Sequence, residues 1–438
     1  WTMSYLKGNN TQTNAVLTTD SGDVYTIDKI NHIKQLTFPF PPIEANEQNE
    51  ENLKQYCPPE VIPKPIVDNP IKSISLSGGM DVRNNMISIT KSSGETFILG
   101  YQDSHVPTKV TIGNGWGIND NNIIYFINYQ NSSYILLDNE GDVYVKGSNS
   151  NKILGVSNSS VVTLTKNPNL SKIKQIATNG SYYTLFLNED GEVFYSGIGY
   201  NMPDYNLNKP TKIQGLSDSK VIQIEQNDYG GGDPVSYFLQ ENGNVYRWYL
   251  NVLSKLDIQN IIQISCGKAG SLGHHILFLN DSKEVYGMGY NDRAQLNKLK
   301  TMNTKNYWVI VTPTKIPGIS NVKSVAAGEK CSLFLLESGE VFACGIGSEM
   351  GIGIYGSSND SEIYKVHIED CIEIYCLDQA SFFVNKYGEL FACGNNINGR
   401  LGLPNDSNAD HSSAINQVTI PTKVPIPTTY SRTAVLQG

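Results

Sequence analysis

The chain has 438 residues and a formal net charge of −9, with 33 Lys plus Arg against 42 Asp plus Glu, which lacks the basic footprint of a duplex-binding protein. Only 17% of residues are charged, while 39 are Gly and 25 are Tyr, a turn-rich and β-compatible balance that argues against long charged helices. No stretch approaches the roughly 20 apolar residues of a membrane span, and the opening WTMSYLKGNN has neither region of a signal peptide. Seven cysteines are too sparse for a disulfide framework, so an intracellular, cytoplasmic or nuclear location is expected. Trp1 stands in place of an initiator Met, so the chain is expected to be a mature form or an excised fragment.

Taken in chain order, residues 1–30 contain MSYLKG and AVLTTDSGDVYTI and read as a nearly complete strand–turn–strand unit. Residues 31–60 interrupt it with Pro39, Pro41 and Pro42, an acidic Asn/Gln-rich run, then Pro58 and Pro59. From there a unit recurs. Its first part is an alternating strand ending in small residues, as in IKSISLSGG, IKQIATNG, VIQIEQND, IIQISCGK and VKSVAAGE, suited to an innermost strand where bulky side chains have least room. Its second part is a hairpin of the form Gly-acid/Asn-Val-aromatic. Copies begin at Gly22, Gly94, Gly141, Gly191, Gly243, Gly339 and Gly388, with a glycine-free KEVY at Lys283. Its third part is apolar-x-Lys-apolar, clearest in VPTKV, KPTKI, TPTKI and IPTKV. Proline and lysine there suit an outer edge strand. The eight lysines from Lys64 to Lys423 recur every ~51 residues, the length of one four-stranded propeller blade with its loops. The tail, TYSRTAVLQ, aligns with the strand that precedes a hairpin.

The stretches VKSVAAGEKCSLFLLESGEVFACG, Val322 to Gly345, and GELFACGNNINGRLGL, Gly388 to Leu403, resemble the two halves of the regulator of chromosome condensation (RCC1) repeat. Divergent copies in phase cover nearly the whole chain. The departures are those of a remote member: the repeat's His survives only as His275, with Tyr183, Cys331 and Ala380 elsewhere, and its Trp only as Trp248. The resemblance implies an all-β fold, an RCC1-like propeller of four-stranded blades. Eight repeat units are counted, whereas family propellers usually have seven blades. The expected organisation is one propeller over 1–438, with 31–60 as a Pro/acidic insertion and 425–438 as a closing strand or the start of a further repeat.

Catalytic motifs are largely missing. None of the six histidines lies in H-E-x-x-H or beside a Cys pair with zinc spacing, so no catalytic residue, metal ligand or cofactor is assigned. His275 is read as a structural histidine bonding a backbone carbonyl. The literal G-x-G-x-x-G from Gly351 to Gly356 has no following helix to present to a pyrophosphate, and the YGGGD run from Tyr229 reads as an inserted turn. Cys344 and Cys393 share a repeat position and are expected to be buried, inert thiols. Cys371 and Cys376, five apart on an alternating run, are expected on opposite faces. Candidate partner-binding residues are Phe38, Phe40, Glu44 and Glu47 in the insertion, and Tyr307 and Trp308 beside basic residues in the excursion 297–311.

The function expected from these features is a non-enzymatic scaffold that binds a protein partner through its loop face and insertions. The alternative, implied by the resemblance, is guanine-nucleotide exchange on a Ran-like small GTPase, in which the propeller stabilises the nucleotide-free partner by linkage. A chromatin role is weakest, because only Lys7 precedes Lys29 in this N-terminus.

Overall fold

The central strand of each hairpin is an unbroken apolar run, YTLFLN, HILFLN or ASFFVN, and every residue of these three strands is buried. Such runs need cover on both faces of a sheet, and the computed structural model supplies it by stacking sheets side by side. It describes residues 2–5, 15–18, 24–27, 33–35, 70–76, 87–99, 107–112, 123–129, 133–178, 182–198, 209–227, 234–267, 274–299, 309–352, 362–377, 379–403, 417–426 and 433–436.

Two compact units divide the chain at residue 64. In the first, β1 (Thr2–Tyr5), β2 (Ala15–Thr18), β3 (Val24–Ile27) and β4 (Ile33–Gln35) form a four-stranded antiparallel sheet in sequence order. The strands on either side of the first repeat hairpin counted in the sequence, β2 and β3, therefore pair in this sheet rather than in the propeller.

The second unit, 65–438, is a seven-bladed β-propeller. Blade 1 contains β5 (Ile71–Leu76), β6 (Ile87–Lys91), β7 (Thr96–Leu99) and β8 (Thr108–Ile112). Blade 2 follows with β9 (Ile123–Tyr129), β10 (Ser133–Asp138), β11 (Val143–Ser148) and β12 (Ser160–Lys166), and blade 3 with β13 (Ile173–Thr178), β14 (Tyr183–Asn188), β15 (Val193–Gly197) and β16 (Thr211–Lys212). Blade 4 has β17 (Val221–Gln226), β18 (Ser236–Gln240), β19 (Val245–Tyr249) and β20 (Val252–Lys255), and blade 5 has β21 (Ile261–Cys266), β22 (His275–Asn280), β23 (Val285–Tyr290) and β24 (Val309–Lys315). Blade 6 comprises β25 (Val322–Ala327), β26 (Cys331–Leu336), β27 (Val341–Gly345) and β28 (Tyr364–Lys365); blade 7 comprises β29 (Cys371–Leu377), β30 (Ala380–Asn385), β31 (Leu390–Asn395) and β32 (Gln417–Lys423). Neighbouring strands within each blade run antiparallel in chain order. The seven blades agree with the family expectation, and the small-residue strand is innermost, the lysine-bearing strand outermost.

The core is divided among the seams between blades. One cluster joins Ile135, Leu137 and Val143 of blade 2 to Ile173, Ile176 and Phe186 of blade 3. Equivalent clusters join every adjacent pair, and the last brings Ala380, Phe382 and Leu390 of blade 7 onto Ile74, Ile87 and Ile89 of blade 1. That seam closes the ring. Phe186, Phe238, Phe278 and Phe334 are fully buried at one repeat position, each stabilising by about 2–3 kcal/mol on burial.

A final strand, β33 (Thr433–Leu436), adds to the outer edge of blade 1, running parallel to β8 with Thr433 opposite Lys109 and Leu436 opposite Ile112. The insertion 31–60 lies outside the described residues apart from β4.

Candidate functional site

The two faces of the propeller differ in how tightly their loops are specified. On one face the hairpin turns repeat. At Gly191 the backbone has φ +82, and Gly94, Gly141, Gly243, Gly339 and Gly388 match it with φ between 72 and 87, a region that favours glycine. The preceding Asn organises the turn: Asn188 Oδ1 accepts from the Glu192 N–H at 2.8 Å, and its amide donates to the Glu192 carboxylate at 2.9 Å. Asn280 with Glu284 and Asn385 with Glu389 repeat the arrangement.

The hairpin acid and the outer lysine, read from the sequence as separate markers, are one device. Acid and aromatic stand two residues apart on the same strand and so share a face, and the aromatic is directly opposite the lysine: Phe194 faces Lys212, Tyr286 faces Lys315, Phe391 faces Lys423. The ammonium thereby reaches the carboxylate. Lys109–Glu95 (2.8 Å), Lys212–Glu192 (2.6 Å), Lys315–Glu284 (2.5 Å), Lys365–Glu340 (2.7 Å) and Lys423–Glu389 (2.8 Å) are ion pairs, as is Lys166–Asp142. Blade 4 departs from the rule: Asn244 replaces the acid, and Tyr246 instead donates to Asp218 at 2.8 Å.

On the opposite face the loops differ in length, although an Asn recurs in three of them: Asn149, Asn291 and Asn396 each accept from the backbone N–H five residues on. Blade 4 joins β19 to β20 through Leu250 and Asn251 alone, both with positive φ (+49 and +61), whereas 18 residues, 346–363, separate β27 from β28. Near the axis this face carries a polar cluster. Glu329, only 5% exposed, accepts from Gln379 Nε2 at 2.7 Å and pairs with Lys330 at 3.1 Å, while Asn395 donates to Gln379 Oε1 at 2.9 Å. The tip of blade 4 exposes Tyr249 and Val252, with the Arg247 guanidinium 5.1 Å from the Tyr249 ring centre.

Between the faces runs an axial cavity of about 300 Å³ walled by the innermost strands. Each of these strands has one edge turned to the next blade, with backbone groups that require partners. Glutamine supplies them. Gln175 donates to Ile224 O and accepts from Ile224 N–H, both at 2.9 Å. Gln223 does the same with Ile264 at 2.6 and 2.9 Å, and Gln263 with Val325 at 3.2 and 3.1 Å. In blade 1, Ser73 and Ser75 reach Ile124 O and Phe126 O. Tyr125, Glu225 and Tyr375 also line the cavity; desolvation and then the Glu225 charge raise the Tyr125 phenol above its ordinary range. Tyr375, raised chiefly by desolvation, donates to Glu373 at 2.8 Å. Both phenols are therefore hydrogen-bond donors rather than bases.

His275 is wholly buried and bonds through Nε2 to Ser332 Oγ of the next blade at 2.8 Å, not to a backbone carbonyl. Ser332 in turn donates to Gln295 O at 2.6 Å, so His275 Nε2 carries the proton in this pair. Burial, reinforced by His274, pushes His275 down to about 3. Neither member of this Ser–His pair reaches solvent, which makes it a strut between blades. Among the described residues no group of three or more His, Cys, Asp or Glu side chains could hold a metal ion, and no helix is long and apolar enough to cross a membrane.

The six described cysteines are buried, and Cys344 is pushed up to about 12 by burial. One reading of them changes. Cys371 and Cys376 face the same cluster, because the register shift between Cys371 and Glu373 inverts the alternation after Cys371. At the G-x-G-x-x-G, a short helix α1 (Gly347–Met350) precedes the glycines and ends at Gly351 with φ +73; Gly353 and Gly356 lie outside the described residues, as does YGGGD. Phe38, Phe40, Glu44, Glu47, Tyr307 and Trp308 also lie outside them. The glutamine girdle and the Glu329 cluster were not singled out from sequence. The recurring Gln in IKQI, VIQI and IIQI was the available signal for the first.

Comparison with known proteins agrees with this architecture. The model of the regulator of chromosome condensation (RCC1) repeat matches residues 387–436. Protein pim1 of Schizosaccharomyces pombe is 26% identical over 225 residues, 44% of this chain and 40% of that protein. Guanine nucleotide exchange factor SRM1 of Saccharomyces cerevisiae is 24% identical over 229 residues, 45% of this chain and 46% of that protein. The matched region thus spans less than half the length of these relatives. Among solved structures, yeast RCC1 (Prp20) bound to Kap60 superposes with a TM-score of 0.59 at 18% identity, covering 90% of both chains. With the repeat, the seven blades and these likenesses together, the chain resembles the RCC1-repeat β-propellers as a remote, RCC1-like relative.

Proposed function

We propose that this chain is a non-enzymatic protein-binding propeller that engages its partner through the face of unequal loops. The observation that supports this most is the contrast between faces: turns carrying the same ion pair in six of the seven blades on one side, and on the other loops of unequal length around the Glu329 cluster and the Tyr249 tip. Loops held on a rigid scaffold are where binding residues concentrate. The reactive groups nearest to a catalytic pattern, His275 and Ser332, are sealed inside a blade seam. Affinity purification with the intact chain, and with Arg247, Tyr249 and Val252 changed together to alanine, tests the reading. Loss of captured proteins in the triple variant is expected; an unchanged set would remove blade 4 from the interface.

A second reading, that the partner is a small GTPase and the propeller accelerates release of its guanine nucleotide, is favoured by the likeness to SRM1, an exchange factor. In that mechanism no bond is made or broken; the propeller binds the nucleotide-free GTPase more tightly than the loaded one, and linkage lowers nucleotide affinity by the same factor. Release of a fluorescent guanine nucleotide from a panel of small GTPases, Ran-like members included, separates the readings. Acceleration by micromolar propeller supports exchange. No acceleration across the panel leaves the binding platform alone.

A further inference from the structure

The seam between blades 6 and 7 holds two thiols closer than ordinary contact. Cys331, the first residue of β26, and Cys376, near the end of β29, have their sulfurs 2.9 Å apart. A disulfide needs about 2.05 Å, so bonding requires the sulfurs to close by ~0.9 Å. Cys331 is the first residue of β26, after the loop 328–330, and Cys376 is the last but one of β29. Ser381 Oγ lies beside both, 3.9 Å from Cys331 and 3.5 Å from Cys376.

Access distinguishes the two. Cys331 is fully buried, whereas Cys376 is 6% exposed and borders the axial cavity. The hydrogen bond with Cys376, and then burial, hold Cys331 well above the ordinary thiol range. Cys376, the one of the pair that borders the cavity, is therefore the sulfur that a solute there meets first.

We propose that Cys331 and Cys376 form a redox modification site, in which a small hydroperoxide entering the axial cavity converts the two thiols into a disulfide that staples blade 6 to blade 7. The Cys376 sulfur attacks one peroxide oxygen as it gives up its thiol proton; the O–O bond breaks, and the departing hydroxide takes up that proton as water, leaving a sulfenic acid on Cys376. The Cys331 sulfur then attacks the Cys376 sulfur. The S–O bond breaks, and the oxygen leaves as water with the Cys331 proton. Two thiols lose two electrons and two protons, and hydrogen peroxide is reduced to two waters. Ser381, whose hydroxyl donates to Glu349 O at 2.7 Å, packs against the sulfurs without taking part. The product closes a chain loop of some 45 residues, long enough for a cross-link to stabilise the folded state appreciably.

The test treats the full chain with graded hydrogen peroxide, blocks remaining thiols under denaturing conditions and maps peptides by mass. The expected product is a Cys331–Cys376 cross-linked peptide, removed by reductant, together with a rise of several degrees in thermal midpoint that the same reductant reverses. Cys331→Ser is expected to stop at a sulfenic acid on Cys376, trapped by a sulfenate-specific nucleophile, and to show no reversible rise in midpoint. Cys266 also borders the cavity and is the competing site. Oxidation confined to Cys266, or over-oxidation of Cys376 with Cys331 still free, would overturn the assignment, and the mapping of the unmodified sequence decides this even if the serine variant does not fold.

Discussion

Replacing Gln223 by methionine keeps the side chain's length while removing its amide. Both Ile264 backbone groups lose their partner, bonds of 2.6 Å and 2.9 Å in the intact chain. With about 0.5–1.5 kcal/mol for each net hydrogen bond, the expected loss is ~1–3 kcal/mol, the lower end applying if cavity water rebinds the exposed groups. For a domain of this size that corresponds to a fall in thermal midpoint of about 1–4 °C. The girdle also predicts an order: Gln263→Met should cost less than Gln223→Met, because its bonds to Val325 are longer, 3.2 and 3.1 Å. Differential scanning fluorimetry on the two variants, with Gln214→Met as an exposed control, measures both. If Gln223→Met shifts the midpoint no further than the control, the amide is not what closes the edge of β21, and the account of the channel wall is wrong.

Other expectations follow from single residues. Lys283 takes the place of the turn glycine with φ +62, so Lys283→Gly relieves a conformation costing about 1–2 kcal/mol. Part of this gain is offset by the greater freedom of the unfolded chain and by loss of the exposed Lys283–Glu337 contact. The net result is ~0.5–1 kcal/mol of stabilisation, readable as a higher denaturation midpoint; destabilisation would refute it. His275 titrates near 3 when folded against 6.5 for an ordinary histidine, so as pH falls the unfolded chain takes the proton first. Its contribution is complete above pH 6.5 and is lost as pH falls toward 3. His275→Gln should flatten the acid limb of a stability–pH profile, and an unchanged slope would exclude His275 as its source. Deleting residues 36–58 should leave the thermal midpoint of the propeller unchanged while altering the captured partners; an unchanged partner set would mark the segment as a passive loop.

The strands and their order were legible because each blade repeats a period-2 pattern punctuated by the same turn, and because glycine, proline and lysine mark positions with distinct backbone needs. Less legible was what joins those marks across strands. The lysine of KPTKI and the acid of GEVF are 20 positions apart in the sequence, Glu192 to Lys212, and only the register that sets Phe194 against Lys212 brings them together. The bulge after Cys371 was invisible for a similar reason: CIEIYC alternates without interruption in letters, while the partner strand has one residue fewer in register. His275 was identifiable as structural, but its partner Ser332 lies 57 residues away in another blade. The parallel pairing of β33 with β8 likewise depends on closure of the ring.

That closure sets a schedule for biosynthesis. Among the described residues, Ile87, Ile89 and Leu99 in blade 1 are covered by blade 7 residues such as Phe382 and Leu403. Translation at roughly 5–20 residues per second leaves this seam uncovered for about 15–60 s after blade 1 has left the ribosome. During that interval a row of isoleucines on a finished sheet is open to water and to other nascent chains. A cell making this protein must therefore shield one specific edge, and conditions that slow elongation late in the message should raise aggregation far more than those that slow it early.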